Sequence, residues 1–448
     1  MRLFPLAAAL LLGLATQANA RLTVLKDDPY PSTYAPIASG TTLVRNATVL
    51  VGDGTRLNGT DVLLKDGKIS RVGQGLDAPR DAAVVDGTGK WITPGLIDIH
   101  SHLGVYPSPG LDAHQDGNEM TSPVTSQVWA EHGVWPQDPG FVTALAGGVT
   151  SMLILPGSAN LIGGRGVVLK NVPGETYQEM KFPGAPWSLK MACGENPKRV
   201  YGGKGSAPMT RMGNVAGYRN ALIEAREYLG KLGEKEPPTQ DLRLETLAAA
   251  INGEIQVQIH CYRSDEMAIM LDMAEEFGFK IAAFHHAVEA YKIADQMADA
   301  GTCGALWADW WGFKAEAYDA IQENILVVDR ARAGKGCAIV HSDSAEGIQR
   351  LNQEAGKVMG SGRRIGIDVA PEHAIRWITE NPAKAMGILE DTGTLERGKM
   401  GDVVLWNQNP FSVYARAEKV WIDGALLFDR NNPALTPISD FTLGQEGN

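Results

Sequence analysis

The middle of the chain alternates short apolar runs with segments whose hydrophobic residues recur at helical spacing. Eight runs of strand length lie between about residues 94 and 389, and helical patterns separate several of them. This order and length predict an α/β fold, a (β/α)8 TIM-type barrel. The alternative, an open doubly wound sheet, is disfavoured by the strand count and because the Gly-rich segment 163–166 lacks the spacing of a dinucleotide-binding loop. The predicted strands are Leu96–His100, Val149–Leu155, Val167–Leu169, Ser188–Ala192, Ile255–Ile259, Lys280–Phe284, Gly304–Trp307 and Ala338–Val340.

The two ends of the chain have a different pattern, with short strands followed by Gly or Asp turns. Val62–Leu64 precedes Asp66-Gly67, and near the other end Val420–Ile422 precedes Asp423-Gly424. Two small β segments that flank a barrel are expected to meet in one sheet. We therefore predict a small composite β-sandwich domain from residues 21–92 and 391–448, around a barrel of residues 93–390.

The first twenty residues have the pattern of a signal peptide. Arg2 supplies a positive charge, residues 3–15 are apolar, and Ala18-Asn19-Ala20 is a small-residue cleavage site. The apolar stretch is too short to span a bilayer comfortably, although a retained membrane anchor is the alternative. We expect cleavage near Ala20, a mature chain that begins near Arg21, and a periplasmic or extracellular location.

The charge of the chain limits the kinds of molecule that it is expected to bind. The 448 residues carry a formal net charge of −11 and contain no basic run, so neither nucleic acid nor an anionic membrane is an expected partner. A small-molecule or peptide-like substrate is expected, and a homo-oligomer is possible.

Export permits oxidation of the four cysteines, Cys193, Cys261, Cys303 and Cys337. Because none lies in a paired-spacing motif and each lies in or beside a predicted strand, we expect buried free thiols.

The first candidate for chemistry is a pair of histidines at the end of the first barrel strand. His100 and His102 follow the apolar run from Leu96. Side chains two residues apart on a strand lie on the same face, so the two imidazoles are expected to point the same way. A strand-end pair of this kind favours a metal site over two solvated histidines.

Polar side chains also interrupt or close four other predicted strands. Lys190 lies within the fourth strand, His260 ends the fifth, His285 and His286 end the sixth, and Asp343 follows the eighth. Function in a (β/α)8 barrel collects at the carboxyl ends of the strands. A single buried histidine or lysine is common in a core. Together with the first strand, however, five strands carry a histidine, lysine or aspartate at or near the same end, which is hard to explain unless these side chains share a ligand.

These residues and their order resemble the amidohydrolase superfamily of metal-dependent hydrolases, nearest to its imidazolonepropionase-like and prolidase-like branches. The resemblance covers nearly all of the chain after residue 20. It rests on the strand-end residues above and on two C-terminal patterns, Asn381-Pro382-Ala383-Lys384-Ala385 and Gly393-Thr394-Leu395-Glu396-Arg397-Gly398 followed by Asp402-Val403-Val404-Leu405.

The resemblance implies a centre with two divalent metal ions. Its ligands would be His100, His102, His260, His286 and Asp343, with a carbamylated Lys190 as the bridge; Glu195 is the alternative bridge. Imidazole and carboxylate ligands suit zinc by default, with manganese or iron possible. Metal-activated water would then attack a carbonyl as hydroxide, and Asp343 would act as general acid and base. Adjacent strand residues face opposite ways, so only one of His285 and His286 is expected to be a ligand. His286 is preferred because the corresponding histidine of the family is followed by a small residue, as His286 is by Ala287.

Substrate contacts are less constrained by the pattern. Arg165 and Arg263 are candidates to pair with a substrate carboxylate, and Tyr262 is a candidate donor to the oxyanion, each against a structural or surface role. His341 is a candidate neighbour of the metal ligands. Trp307, Trp310 and Trp311 would wall a pocket for an apolar group or cap the barrel core.

The sequence thus predicts an exported binuclear amidohydrolase that cleaves an amide or peptide-like C–N bond. Three alternatives stay open. They are a cyclic-amide or imidazolone hydrolase with the same centre, a mononuclear deaminase that does not need Lys190, and a non-catalytic binding protein on a decayed hydrolase barrel.

Overall fold

The computed structural model describes residues 23–25 and 27–435. The predicted signal peptide and its cleavage site lie outside the described residues. Within the described part of the chain, no helix is both long and apolar enough to cross a bilayer.

The strands form two eight-stranded sheets. In chain order they are β1 (Thr42–Leu50), β2 (Arg56–Lys65), β3 (Lys68–Gly73), β4 (Ala83–Asp86), β5 (Trp91–Pro94), β6 (Leu96–Ser101), β7 (Val149–Ile154), β8 (Ile162–Lys170), β9 (Ser188–Ala192), β10 (Gln256–Cys261), β11 (Ile281–His286), β12 (Cys303–Leu306), β13 (Ala338–Val340), β14 (Val403–Trp406), β15 (Ala417–Ile422) and β16 (Ala425–Asp429).

Helices fill most of the connections between the central strands. They are α1 (Pro139–Ala146), α2 (Tyr177–Met180), α3 (Glu195–Gly203), α4 (Arg211–Lys231), α5 (Leu242–Ile251), α6 (Ser264–Phe277), α7 (Ala294–Ala300), α8 (Asn324–Gly334), α9 (Leu351–Arg364), α10 (Pro371–Ala374) and α11 (Glu380–Met386).

The predicted meeting of the two chain ends in one sheet is confirmed. That sheet has the order β16-β15-β14-β5-β1-β2-β3, with β4 paired to β1. Strand β5 pairs antiparallel with β14 and leads through Gly95 directly into the first barrel strand. A Cβ at Gly95 would lie 2.0 Å from Thr150 Oγ1, so this crossing between the two sheets needs glycine.

The second sheet, in the order β13-β12-β11-β10-β9-β8-β7-β6, is the predicted eight-stranded barrel. One strand departs from the expected parallel arrangement: β8 pairs antiparallel with both β7 and β9. Only residues 155–161 connect β7 to β8, and a parallel crossover needs about a dozen residues or more. The chain therefore turns back as a hairpin at this point.

The two edges of the barrel sheet meet at its mouth. The backbone N–H of Asp343 donates to the carbonyl of His100 at 3.1 Å. The buried carboxylate of Asp98 accepts from the backbone N–H of Ser342 at 3.3 Å and from the Ser342 hydroxyl. These bonds hold the carboxyl ends of β6 and β13 side by side. At the opposite end, Ala383, Ala385 and Met386 of α11 pack in one buried cluster with Ile97 and Ile339.

The expectation of free thiols is wrong, because all four cysteines are paired. Cys193 and Cys261, with Cα atoms 5.0 Å apart, join the mouth ends of the neighbouring strands β9 and β10. Cys303 and Cys337, 4.5 Å apart, join the opposite ends of β12 and β13. Strand pairing in the barrel brings together residues that are 68 and 34 positions apart in the chain, a proximity that local spacing does not reveal.

Candidate metal centre

Three potential ligand atoms converge where β6 meets β13. The Nε2 atoms of His100 and His102 lie 3.3 Å apart, so the two rings do point the same way. Asp343 Oδ1 lies 3.3 Å from His100 Nε2 and 3.2 Å from His102 Nε2. Ligands at about 2.0–2.1 Å from a tetrahedral zinc are separated by roughly these distances. The spacing therefore fits one ion held among the three atoms.

A hydrogen-bond relay sets the tautomer of His100. Gln258 Nε2 donates to the carbonyl of Ala385 at 3.2 Å, which leaves Gln258 Oε1 to accept from His285 Nε2 at 2.8 Å. The other nitrogen of His285 must then accept from His100 Nδ1, which lies 2.8 Å away. The Nε2 atom of His100 is consequently a free lone pair that faces Asp343.

A single hydrogen bond gives His102 the same tautomer as His100. Its Nδ1 donates to the carbonyl of Leu155 at 2.8 Å, so its Nε2 also carries a lone pair. Two lone pairs and a carboxylate oxygen thus face one another without a hydrogen between them. Such an arrangement is repulsive unless a cation lies among the three atoms, and this fits a metal ion.

His260 and His286 form the second half of the cluster. Their ring centroids are 4.6 Å apart, and both rings are buried. His260 Nδ1 is hydrogen-bonded to Ser158 Oγ at 2.9 Å. His286 Nδ1 is buried without a hydrogen-bond partner and lies 3.9 Å from Asp343 Oδ2. The carboxylate of Asp343 therefore faces both pairs of histidines.

Both His285 and His286 face the cluster, which strict alternation along a strand does not allow. His286 has φ of 67° and Ala287 has φ of 35°, so the backbone leaves the extended conformation at the end of β11. Asp343 also has a left-handed φ of 53°. Non-glycine residues rarely adopt this conformation, because it costs free energy. Strained residues of this kind are commonly found at functional sites.

Burial keeps the histidines of the cluster in the neutral form that binds metals. Desolvation lowers the pKa of His100, His260, His285 and His286 well below the usual value, and the nearby charge of Lys190 acts in the same direction on all four. The neutral imidazole is the ligand form, so no proton has to be displaced at neutral pH.

Lys190 lies in β9 and is fully buried. In the barrel sheet it is paired with Gln258 of β10, two residues before His260. Its Nζ donates to the carbonyl of Pro156 at 2.8 Å, and desolvation lowers the pKa of Lys190 to about 8. Glu195, at the start of α3, lies instead at the rim, where its Oε1 is 3.6 Å from Lys314 Nζ. Of the two candidate bridging ligands, Lys190 is the one placed among the histidines.

The three candidate substrate residues lie in different places. Tyr262 stacks on His286 with centroids 5.4 Å apart and forms one wall of the cluster. Arg263 makes a two-point ion pair with Asp265 at the surface.

Arg165 is buried away from the histidines. Its guanidinium lies 4.3 Å from the ring centroid of Trp129 and 4.9 Å from that of Trp187, and its Nε donates to Thr246. The structure thus gives Arg165 a packing position and does not bring it to the centre.

Three residues that support the centre were not identified from the sequence as doing so. Asp98 braces Ser342, and Gln258 and Ser158 orient His285 and His260. A signal existed for two of them, because Asp98 and Gln258 each precede a strand-end histidine by two positions. Polar residues at a strand period of two in an apolar run indicate a supporting layer below the ligands.

Residues 337–428 match the sequence model of the amidohydrolase family. The known structure of an amidohydrolase from Thermotoga maritima is 35% identical in sequence and superposes with a TM-score of 0.80, over 87% of this chain and 100% of that one.

Two curated relatives match along most of this chain. Amidohydrolase tasK of Hapsidospora irregularis is 33% identical over 437 residues, which cover 87% of this chain and 43% of the relative, so this chain spans less than half of that protein. Imidazolonepropionase of Shewanella oneidensis is 24% identical over 382 residues, 77% of this chain and 86% of the relative.

Proposed function

The chain belongs to the amidohydrolase family, and from this premise we propose that it is an exported binuclear metal hydrolase that cleaves an amide or peptide-like C–N bond. The observation that carries the proposal is the convergence of two imidazole lone pairs and a carboxylate oxygen within 3.3 Å. His100, His102 and Asp343 would hold one ion there.

A second ion would be held by His260 and His286, with Lys190 as the bridging ligand. A buried lysine whose pKa is about 8 is partly neutral near neutral pH. The neutral amine can add to carbon dioxide, which forms an N–C bond, releases one proton and gives an anionic carbamate. A carbamate has two ligand oxygens and removes the cost of a buried ammonium beside metal ions. Glu195 remains the alternative bridge only if its side chain leaves Lys314.

Bound divalent ions, with zinc the default and manganese or iron as alternatives, would lower the pKa of a water molecule and polarise the scissile carbonyl. Asp343 would accept the proton that the attacking water loses and deliver it to the leaving nitrogen. The water oxygen would form a C–O bond as the carbonyl π bond opens. The C–N bond would break as the C=O bond re-forms and the nitrogen takes the proton from Asp343, so that the products are a carboxylic acid and an amine. The left-handed backbone of Asp343 and the brace from Asp98 to Ser342 hold the carboxylate in place for both transfers.

A cyclic amide is the second candidate substrate. The similarity to imidazolonepropionase, which spans 86% of that enzyme, supports this second candidate. The same ligands and the same role of Asp343 would serve a cyclic substrate.

Two disulfides support the proposed export. Structural disulfides persist in oxidising compartments and are uncommon in a reducing cytosol. Cys193–Cys261 and Cys303–Cys337 account for every cysteine in the sequence. With the signal-peptide pattern, they favour a periplasmic or extracellular enzyme.

The direct test combines metal analysis with a substrate screen. The purified chain, loaded with zinc in bicarbonate buffer, is expected to contain about two ions and to hydrolyse members of a panel of N-acyl amino acids, Xaa-Pro and Xaa-Arg dipeptides and cyclic amides. A chelator should abolish turnover. A protein with one ion whose content is unchanged in Lys190→Ala would instead be mononuclear, and turnover that survives metal removal would contradict the proposal.

The carbamate has its own test in Lys190→Ala. This variant is expected to lose one of the two ions and to regain it when a short-chain carboxylic acid is added, because the acid replaces the missing bridging oxygens. Glu195→Gln is the matched variant and should keep both ions. The reverse pattern would assign the bridge to Glu195.

A further inference from the structure

A cavity of about 180 Å³ lies beside the histidine cluster and is not used by the reaction proposed above. Trp307, Trp310, His341, Ser342 and Arg350 are among its lining residues. It shares a wall with the centre, because the ring of Trp307 stacks on His286 at 4.2 Å and its Nε1 donates to the carbonyl of Ser342 at 3.1 Å. Ser342 directly precedes Asp343, so the cavity adjoins the proposed proton-transfer group.

The lining contains a buried polar side chain without a partner. His341 is 1% exposed, and neither Nδ1 nor Nε2 has a hydrogen-bond partner. Its ring lies 5.0 Å from His286 and 5.3 Å from Trp307, centroid to centroid. One of its nitrogens lies within 4.8 Å of ligand nitrogens of His100 and His286 and therefore belongs to the histidine cluster. A buried polar atom that is left unpaired costs stability, so the other nitrogen is left for a group that binds from the cavity.

The lining also contains a cation without a counter-ion. Lys357 Nζ lies 2.8 Å from Glu354 Oε1 and 3.0 Å from Asp309 Oδ2, so its charge is compensated. Arg350 has no carboxylate within ion-pair distance in the described part of the chain. It directly precedes α9, whose N-terminal backbone dipoles add to the positive potential. The unpaired charge here is positive.

We propose that this cavity binds a carboxylate of the substrate. Arg350 would form a charge-assisted pair with the carboxylate, His341 would donate one N–H, and Trp307 and Trp310 would contact the apolar part of the same residue. The preferred substrates are then N-acyl amino acids or peptides with a free carboxylate close to the scissile bond. This inference rests on the proposed function, because it takes the scissile bond to lie at the histidine cluster.

The test compares the kcat/KM values of carboxylic acid substrates with those of the corresponding uncharged carboxamides, measured on the zinc-loaded full chain. The probes are the N-acetyl derivatives of glycine, leucine, phenylalanine, proline and arginine, each with its carboxamide, and the readout is acetate release. The wild-type protein is expected to prefer the acid by about tenfold or more in kcat/KM. Arg350→Gln should lower kcat/KM for the acid by about ten- to hundredfold, mainly through KM, and change the carboxamide less than about threefold.

Two further variants make the result specific. Arg350→Lys keeps the charge but not the two-point geometry, so an intermediate loss is expected. Arg363→Gln is the control, because Arg363 lies on α9, is 64% exposed and pairs with Asp368 outside the cavity. It should behave as wild type. Equal losses on acid and carboxamide in Arg350→Gln, or no preference for the acid in the wild-type protein, would overturn the proposal.

A binding measurement separates this inference from the proposed reaction. The same acids and carboxamides are titrated into the zinc-loaded protein in a calorimeter. If no probe is hydrolysed but the acids bind in a manner that depends on Arg350, the carboxylate site is supported and hydrolysis of these probes is contradicted. If acids and carboxamides bind alike, or neither binds, the carboxylate site is overturned.

Discussion

Two buried lysines on neighbouring barrel strands have opposite surroundings. Lys170, at the end of β8, lies 2.7 Å from Asp423 Oδ2 and 3.5 Å from Asp402 Oδ1. Lys190, in β9, is as deeply buried but has a single carbonyl as its hydrogen-bond partner. Because β8 runs antiparallel to β9, the first lysine lies toward the composite sheet and the second lies among the histidines. The same residue type thus lies in an ion-pair cluster of the scaffold in one place and, in the function proposed above, would serve the chemistry in the other.

The polar groups around each lysine explain why the two surroundings differ. Around Lys170, Asp402 also accepts from the backbone N–H of Asp423 and from Thr392, and Asp423 accepts from the hydroxyl of Tyr34. Every charge there has a partner, so the cluster connects the barrel to the β domain. Around Lys190, lone pairs and a carboxylate face one another, and the polar atoms require a ligand. The surroundings of Lys190, unlike those of Lys170, include buried imidazole nitrogens without a hydrogen-bond partner, on His286 and His341.

The largest expected effect follows from removing the proposed proton carrier. Asp343→Asn should lower kcat by about 10³-fold or more while the protein stays folded, because the amide cannot accept and return the proton. His100→Ala should abolish turnover through loss of metal. His373→Ala is the matched histidine control, since His373 pairs with Asp329 on the outside of the barrel, and it should retain activity. Substantial turnover by Asp343→Asn would contradict the role given to Asp343.

Replacement of each buried lysine by methionine tests the contrast between the surroundings of Lys170 and Lys190. Lys170→Met leaves Asp402 and Asp423 buried without their cation, so we expect a loss of about 3–5 kcal/mol in the free energy of unfolding and unchanged metal content. Lys190→Met should show the reverse, with stability retained and one ion lost. Denaturant unfolding and metal analysis on both variants give the result. Equal destabilisation by the two substitutions would remove the distinction between scaffold and site.

The fold and the positions of the main candidate ligands could be predicted because their signals are local. A run such as Leu96–His102 shows both a buried strand and its polar end, and the same holds for His260, His286 and Asp343. The direction of β8 was not predicted, because it depends on the length of the connection from β7 rather than on the strand residues. Arg165 is a candidate from the sequence to pair with a substrate carboxylate, with a structural role as the alternative, and the structure packs it against Trp129 and Trp187.

The remaining features depend on which strands become neighbours. The two disulfides and the relay from Gln258 through His285 to His100 each join strands that are distant in sequence. The alternation rule also failed at His286, where the positive φ turns the ring toward the centre beside His285. Pairing and backbone strain of this kind arise only when the barrel closes.

The disulfides provide a second contrast between scaffold and site. Replacement of Cys303 and Cys337 by serine should cost about 2–4 kcal/mol of stability and leave metal affinity unchanged, because this pair lies at the end of the barrel away from the histidines. Replacement of Cys193 and Cys261 should cost a similar amount and also weaken metal binding, because Cys261 directly follows His260. Unfolding and zinc titration measure both quantities. An unchanged zinc affinity in the second pair would separate this disulfide from the centre.

The smallest expected effect concerns the hydrogen-bond relay. His285→Phe removes the acceptor that keeps the proton of His100 on Nδ1, and we expect about ten- to hundredfold weaker zinc binding with little change in stability. Gln258→Leu acts one step further away and should weaken binding less, because His285 can still accept from His100. Zinc affinity, measured by competition with a chelator, is independent of turnover. If His285→Phe binds zinc as tightly as the wild-type protein, then His100 keeps its ligand tautomer without the relay, and His285 is only a packing residue.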